Sequence, residues 1–258
     1  MSIHPAAIVS EDARIHETAE IGPYCIIGAH VDIGARTRLM AHVFCEGVTT
    51  IGEDNLFYPY STVGVASQDK KYKGERAETH IGKNNTIREF VTIHRGTQGG
   101  GLVTSIGDGN LLMAYVHVAH DVHVGNYVTL ANGVTFAGHV TIDDYANIGA
   151  HSGVHQFCRV GRHSIIGGYS VVVQDVLPFS NTVSEREIRV FGANRIGMER
   201  AGFSSETIEG LQTALRLLTR AGLNTSQALE RIQAEVPDTP ELRELIDFIR
   251  SSERGVIK

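Results

Sequence analysis

An apolar residue recurs at every sixth position along most of the first 178 residues. The clearest stretch, residues 106–177, divides into twelve six-residue units (hexads), each opening with a large apolar residue and usually carrying a small or medium fifth residue. A period of six is typical of a parallel β-helix. The period of an α-helix would fall out of register with it, and the alternating pattern of a β-strand would not persist over twelve units. We therefore predict a mainly β fold in which three hexads form one triangular coil and each opening residue points into a shared core.

Two interruptions divide this repeat. Eleven hexads run without a slip from Ile3, three follow the first interruption and twelve follow the second. All 26 opening residues are apolar although only 42% of the chain is hydrophobic, so composition alone does not produce the pattern. The interruptions, residues 69–80 and 99–105, are polar or glycine-rich. We predict that both form loops projecting from the coils.

A different period begins behind the repeat. Residues 1–178 are predicted to be β-helix, residues 179–193 fit neither period and are predicted to form an exit segment, and residues 194–258 have the period of amphipathic helices. Capping signals predict where the helices start: Ser205, Asn224 with Gln227, and Thr239 before Pro240. These helices would cover the open edge of the last coil, which would otherwise invite aggregation.

Composition and charge disfavour several classes of protein. The net charge is −6 and no basic stripe stands out, which argues against nucleic acid as a partner. The three cysteines lie far apart at buried hexad positions, as expected in a reducing compartment. The sequence begins without an export signal, and no apolar run approaches the ~20 residues that span a bilayer. We expect a cytoplasmic protein without a membrane span.

Histidines supply the candidate chemistry. The chain has 13, and four hexads that carry several of them lie three units apart once the second interruption is skipped, so they share one face of the prism. That face carries His94, His117, His120, His139, His155 and Gln156. A lone histidine on a turn is usually solvated or packed, but a column of them beside two loops favours a functional groove.

Two other hypotheses fit part of this pattern. His117, His120 and His123 are spaced three residues apart and, with His139, could supply zinc ligands as in a β-helical zinc carbonic anhydrase. They occupy different hexad positions, however, and need not converge. The other alternative is a non-catalytic structural solenoid, which would be expected to carry a regular face of threonine or asparagine in place of assorted histidines.

Several motifs carry a more specific resemblance. They are Ile93-His94-Arg95-Gly96-Thr97, Asn110-Leu111-Leu112-Met113, His117-Val118-Ala119-His120-Asp121, Leu130-Ala131-Asn132, Ala137-Gly138-His139-Val140, Val154-His155-Gln156-Phe157-Cys158 and Arg200-Ala201-Gly202-Phe203-Ser204. In combination they resemble the cytosolic UDP-N-acetylglucosamine O-acyltransferases that begin lipid A synthesis. The resemblance covers essentially the whole chain, including the helical tail.

This resemblance implies a fold and a reaction. The family fold is a left-handed parallel β-helix with a C-terminal α-helical domain, assembled as a homotrimer with its sites between subunits; the period alone does not reveal the hand. The reaction moves an (R)-3-hydroxyacyl group from acyl carrier protein directly to the glucosamine 3-hydroxyl of UDP-N-acetylglucosamine, without metal or cofactor. The same base would serve a 3-amino acceptor, so the sequence leaves that alternative open.

The resemblance also assigns residues. His120 matches the catalytic base, Asp121 the group that orients it, and Gly138 the backbone donor to the oxyanion. Histidine suits a weakly acidic alcohol because its ordinary pKa is near ~6.5. The matching substrate-binding residues are Asp69, Lys71, His117, His139, His155 and Gln156, and those on the nucleotide side are Asn194 and Arg200.

Two stretches depart from the family pattern. Residues 183–188 replace a Gly-Asn-containing stretch at the exit from the β-helix, and Ala201 stands where a second arginine is usual. Both lie near the nucleotide and carrier-protein side, so they affect the expected diphosphate contacts and leave the reaction unaffected. Docking of an acidic carrier protein is expected on a local basic patch, Lys70, Lys71, Lys73 and Arg76.

Gly168 matches the position that measures acyl-chain length in the family. Glycine leaves space there, and each buried methylene contributes ~0.8 kcal/mol, so we predict a preference for a chain of roughly fourteen carbons over one of ten. Turnover of ten-, twelve- and fourteen-carbon 3-hydroxyacyl donors measures this preference. Faster turnover of the ten-carbon donor would contradict it.

Overall fold

The computed structural model describes residues 2–184, 188–220 and 222–258. Short strands dominate it, and a 3₁₀ helix spans Gln98–Gly100. In chain order the strands are β1 (Ser2–Ile3), β2 (Ile8–Val9), β3 (Arg14–Ile15), β4 (Glu20–Ile21), β5 (Ile26–Ile27), β6 (Val31–Ile33), β7 (Arg38–Leu39), β8 (Phe44–Cys45), β9 (Val48–Ile51), β10 (Leu56–Phe57), β11 (Thr62–Val65), β12 (Glu78–Ile81), β13 (Thr86–Ile87), β14 (Thr92–His94), β15 (Val103–Ile106), β16 (Leu111–Leu112), β17 (His117–Val118), β18 (His123–Val124), β19 (Thr129–Leu130), β20 (Thr135–Phe136), β21 (Thr141–Ile142), β22 (Asn147–Ile148), β23 (Gly153–Val154), β24 (Arg159–Val160), β25 (Ile165–Ile166), β26 (Val171–Val172), β27 (Ser180–Ser184) and β28 (Ile188–Ala193).

The strands form three sheets that wind around one axis. Sheet 1 has the order β1-β4-β7-β10-β13-β16-β19-β22-β25-β27-β28, sheet 2 the order β2-β5-β8-β11-β14-β17-β20-β23-β26, and sheet 3 the order β24-β21-β18-β15-β12-β9-β6-β3. Neighbouring strands are parallel, except that β27 and β28 are antiparallel. Uninterrupted coils pair residues 18 positions apart, such as Ile148 with Ile166. The eighteen-residue coil predicted from the period is therefore confirmed.

Opening residues of the hexads fill one apolar column along the axis. Leu39, Phe57 and Leu130 are 0% exposed, whereas Arg38, which precedes Leu39, faces solvent. The predicted inward direction of the opening residues is thus confirmed along the column. The first coil is the exception, since Ile3 lies at the open end of the prism and is 38% exposed. The three cysteines are buried free thiols within the column.

The two interruptions lengthen single coils. Thr62 pairs with Thr92, and Thr92 with His117, separations of 30 and 25 positions in place of 18. The pairing resumes in the same sheet after each interruption, so the extra residues leave the stacking intact. Each interruption follows a strand of sheet 2 and ends in a strand of sheet 3, so both project from the corner between these two sheets.

The predicted loop bounds are wrong at their C-terminal ends. Residues 78–80 of the predicted loop 69–80 and residues 103–105 of the predicted loop 99–105 belong to β12 and β15. Glu78 pairs with Val103 on one side and with Val48 on the other, so hydrogen bonding from two neighbours makes these polar residues strand.

Residues at the corners of the prism adopt a left-handed backbone. The fourth residue of the hexad has a φ of 66° at Tyr60, 58° at Asp121 and 62° at His139. This conformation is unfavourable for a residue with a Cβ, and stacked rings accompany it: the Tyr60 ring centroid lies 4.8 Å from that of His42 and 5.2 Å from that of Phe90. The sequence analysis did not anticipate these ring columns, although aromatic and histidine residues recur at the fourth position.

The exit from the prism is a β-hairpin. β27 lies parallel to β25, with Asn181 opposite Ile165, and β28 returns antiparallel to β27. Part of the predicted exit segment therefore extends sheet 1 by two strands, β27 and β28. Residues 185–187, which belong to the unusual stretch 183–188, lie outside the described residues.

Helices complete the chain: α1 (Arg195–Arg200), α2 (Ser205–Arg220), α3 (Thr225–Glu235) and α4 (Pro240–Arg250). The predicted caps of α3 and α4 are confirmed, since Asn224 begins α3 in a capping box and Thr239 caps α4. The predicted cap of α2 is wrong by one residue. Oγ of Ser204 accepts from the amide of Thr207 at 3.1 Å, so Ser205 is the first helical residue.

The helical region packs on the last coils. Arg162 pairs with Glu244 of α4 at 2.6 Å, and the amide of Ile257 donates to the carbonyl of Asp175 at 3.0 Å. These contacts cover the end of the prism, as predicted. Within the described part of the chain, no helix combines the length and apolar character needed to cross a bilayer.

Candidate active site

A cavity of about 840 Å³ runs along sheet 2 and its corner with sheet 3. Seven of the residues predicted for the site line it: Asp69, Lys71, His117, His120, His139, His155 and Gln156. His94 lines it as well. The stacking of coils thus brings the histidines of four hexads and the first loop to one groove.

His120 and Asp121 form the centre of this groove. Nδ1 of His120 lies 2.8 Å from Oδ2 of Asp121, and Asp121 is only 2% exposed. The amide of Thr97 donates to Oδ1 at 2.8 Å and its hydroxyl donates to Oδ2 at 2.5 Å. A buried carboxylate with these donors is a fixed acceptor, so Nδ1 of His120 carries the proton and Nε2 is left as an acceptor.

The second loop builds the surroundings of Asp121. The Asp121 amide donates to Oγ1 of Thr104, in β15, at 2.8 Å. A Cβ at Gly100 would lie 2.5 Å from Oδ2 of Asp121, so only glycine permits the loop to lie so close. This loop therefore covers the carboxylate and excludes water from it.

Gly138 lies against the ring of His120. A Cβ at position 138 would lie 2.6 Å from Nε2 of His120, so the ring position requires glycine. Among the described residues the amide of Gly138 donates to no acceptor. His139 packs edge-on to His120, with ring centroids 5.0 Å apart, and stacks on Phe157 at 4.4 Å. A basic nitrogen and a free amide donor thus lie side by side.

Asn194 and Arg200 line a different cavity of about 630 Å³, beside α1 and the end of sheet 1. The rings of Tyr127, Tyr145 and His163 stack along its wall. A single chain therefore does not bring the two predicted nucleotide-side residues to the histidine groove. Gly168 lines neither cavity; it stands in the turn between β25 and β26.

Comparison with known proteins identifies the family. A family model described as Udp N-acetylglucosamine O-acyltransferase, domain 2, matches residues 175–257, and one described as bacterial transferase hexapeptide (six repeats) matches residues 104–138. The curated acyl-acyl-carrier-protein–UDP-N-acetylglucosamine O-acyltransferase of Thermodesulfovibrio yellowstonii is 47% identical over 256 residues, 99% of each chain. The chain belongs to the UDP-N-acetylglucosamine O-acyltransferase family.

Solved structures agree with this family membership. The UDP-N-acetylglucosamine acyltransferase of Bacteroides fragilis superposes with a TM-score of 0.97 at 43% identity, over 99% of this chain and all of that one. A relative from Acinetobacter baumannii has a TM-score of 0.95 at 44% identity, with 99% of each chain covered. These likenesses confirm the predicted left-handed parallel β-helix with its C-terminal helical domain. They favour the acyltransferase hypothesis over the carbonic anhydrase-like and the non-catalytic solenoid hypotheses.

The predicted zinc set of the alternative hypothesis does not converge. His123 lies on sheet 3, where its Nδ1 is 2.8 Å from Oγ of Ser105, whereas His117 lies on sheet 2 beside Thr92. A different trio is compact, since ligand atoms of His120, Asp121 and His139 lie within 4.8 Å of one another. The hydrogen bonds described above already use this carboxylate, and they fit the role of an orienting group.

Sequence analysis of this acyltransferase-family chain missed part of the site. Thr97 and Thr104 hold Asp121, yet only the first belongs to a motif noted in the sequence, and no role was given to either. The signal available was their position: Thr97 lies two residues before the second interruption and Thr104 lies within it. Residues at or beside a break in a regular repeat are candidates for orienting functional side chains.

Burial keeps several of the histidines neutral. It lowers the pKa of His94 to about 4, with the neighbouring His117 and His120 acting in the same direction. Burial also lowers the pKa of His117 and of His139. For His139 the carboxylate of Asp121 opposes the effect. His94, His117 and His139 are therefore uncharged near neutral pH.

His94 makes stability depend on pH in a defined window. Its pKa is about 4 in the folded chain against an ordinary 6.5. The unfolded chain therefore binds more protons between these values, and the free energy of unfolding falls as the pH drops from 6.5 towards 4, by on the order of 3 kcal/mol. We expect His94→Gln to flatten this decline in urea unfolding measured across the window. The exposed His30, replaced by glutamine, is the control; equal slopes in both variants would contradict the assignment.

Proposed function

We propose that this chain transfers a 3-hydroxyacyl group from acyl carrier protein to the 3-hydroxyl of UDP-N-acetylglucosamine, an early step of lipid A biosynthesis in the cytoplasm. Family membership at 47% identity over full length supports the reaction class. The observation that carries the proposal is the 2.8 Å contact between Nδ1 of His120 and the buried carboxylate of Asp121. It orients a neutral imidazole so that its other nitrogen serves as a base.

His120 acts as the general base in a direct transfer. Its Nε2 takes the proton of the sugar hydroxyl as the oxygen attacks the thioester carbonyl carbon. Asp121 stabilises the imidazolium that forms, and Thr97 in turn holds Asp121 through hydrogen bonds of 2.8 and 2.5 Å. General-base help of this kind contributes ~10²–10⁴ in rate, so positioning and charge stabilisation supply the remainder.

The tetrahedral intermediate needs a donor for its oxyanion. The amide of Gly138 is beside His120 and without an acceptor among the described residues, which suits that role. When the intermediate collapses, the C–S bond breaks, the thiolate of the carrier leaves, and the imidazolium of His120 returns the proton to sulfur. The ester bond forms without any covalent enzyme intermediate.

The remaining lining residues bind the two substrates. His139, His155 and Gln156 border the groove near the base, and Asp69 and Lys71 reach it from the first loop. Lys70, Lys73 and Arg76 belong to the same loop and give it a positive charge that suits an acidic carrier protein. A 3-amino acceptor would use the same base, so mass spectrometry of the product distinguishes the two acceptors.

A complete site requires more than one copy of the chain. The histidine groove lies along sheet 2, whereas Asn194 and Arg200 border a cavity beside sheet 1. A closed ring of three chains, with sheet 2 of one against sheet 1 of the next, would bring the two cavities together. We therefore propose a homotrimer in which Arg200 of one subunit pairs with the diphosphate of a nucleotide held at His120 of its neighbour.

Replacing His120 tests the base. His120→Ala is expected to lower acyl transfer by at least ~10²-fold with little change in folding, because the ring supplies proton transfer and bears no part of the core. The assay follows product formation from UDP-N-acetylglucosamine and a 3-hydroxyacyl carrier protein. His123→Ala, on sheet 3 outside the groove, is the matched control and should retain activity. Full activity in His120→Ala would exclude the proposed base.

Mixing two inactive variants tests the shared site. His120→Ala and Arg200→Ala each damage a different half, and a mixed ring of three contains one site with both halves intact. Random mixing should therefore restore about a quarter of wild-type activity. The measurement is the rate after co-expression of the two variants at equal levels. Activity no higher than the mean of the separate variants would show that each site is built within one chain.

A further inference from the structure

One outward-facing position of the repeat lacks a side chain. The residue that precedes each of the 26 opening residues faces away from the core, and Gly153 is the only glycine among them; none is alanine. Gly153 lies in β23, between Thr135 of β20 and Val171 of β26 in sheet 2. Strand positions favour β-branched residues and disfavour glycine, and Thr135 and Val171 follow that preference.

The fold itself gives no reason for this glycine. The φ of Gly153 lies outside the left-handed region that favours glycine, and a Cβ there would meet nothing within 4 Å. The contrast with Gly138 is direct, since a Cβ at that position would lie 2.6 Å from Nε2 of His120. A side chain at position 153 would therefore fit the chain and would project into the histidine groove, whose wall includes Gly153.

The missing side chain of Gly153 leaves a notch in the wall of the groove, and the wall changes from polar to apolar there. On the side of the earlier coils it carries His117 and His120. On the side of the last coil it carries Val171 and Val173, which are 67% and 47% exposed. Exposed valines inside a cavity indicate an apolar occupant. The notch lies two coils beyond His120, about 10 Å along the axis, so an extended chain starting at the base would pass it.

We propose that Gly153 opens the path of the donor's acyl chain and helps to determine how long a chain the site accepts. This inference rests on the proposed function, because the occupant is the acyl group whose carbonyl carbon lies beside His120. Its terminal methylenes cross the notch at Gly153 and lie against Val171 and Val173. Gly153 is a different position from Gly168, which stands in the turn between β25 and β26.

Adding a side chain at position 153 should shorten the accepted chain. Gly153→Val suits a strand and fills the notch, so donors whose chains reach past it lose the contacts of two or three methylenes. The ratio of kcat/KM for the fourteen-carbon donor to that for the ten-carbon donor is expected to fall roughly 15- to 60-fold, about fourfold per displaced methylene. Gly153→Ala should change the same ratio in the same direction by a few-fold. Ser105→Val, which adds bulk at the corresponding position of sheet 3, should leave the ratio unchanged.

The outcomes separate this inference from the function on which it rests. If the wild-type chain transfers no donor, the proposed function fails. If the wild-type chain is active and Gly153→Val keeps the same ratio between donors, the inference fails and the function stands. An equal loss for all donors, accompanied by dissociation of the assembly in size-exclusion chromatography, would assign the notch to a neighbouring subunit and also overturn the inference.

Discussion

Hydrogen bonds between successive coils set the height of each side chain along the axis of the β-helix. The amide of His117 donates to the carbonyl of Val134 at 2.9 Å, and the amide of Thr135 donates to that of Ser152 at 3.0 Å. Each such bond joins one coil to the next, so residues at the same hexad position form rows along the axis with a rise of ~4.8 Å. The groups proposed to react belong to neighbouring coils in these rows. The backbone that carries each of them is therefore held by a ladder of hydrogen bonds.

The site lies where the repeat is least regular. Asp121 occupies a corner with a φ of 58°, in the left-handed region shared by many other corner residues. Among the described corner residues, it alone has a buried carboxylate beside the groove. Thr97, just before the second interruption, and Thr104, within it, bind the side chain and the amide of Asp121. The regular coils thus fix the rows of histidines, and the irregular insertion sets the electrostatics of one of them. Local departures from a repeat are where function is expected.

The period of six predicted the axis, the sheets and the inward residues, because side-chain direction in a stacked coil depends only on hexad position. It also predicted that His120 and His139 are neighbours, which their ring centroids, 5.0 Å apart, bear out. It could not predict that β12 begins at Glu78, since pairing on both sides overrides the polar composition there. Nor could it predict that Arg200 borders a separate cavity, because the helical tail follows no hexad frame and its docking depends on tertiary packing.

The lengthened coils bear on how this architecture evolves. A plain coil closes over 18 residues, and the coil with the first interruption closes over 30, between Thr62 and Thr92. Loop-closure entropy grows only with the logarithm of length, so the longer closure is less favourable by on the order of 0.5 kcal/mol. Extra segments at a corner are therefore nearly neutral for stability. New binding chemistry can be acquired there, and refined independently, while the column beneath stays as it is.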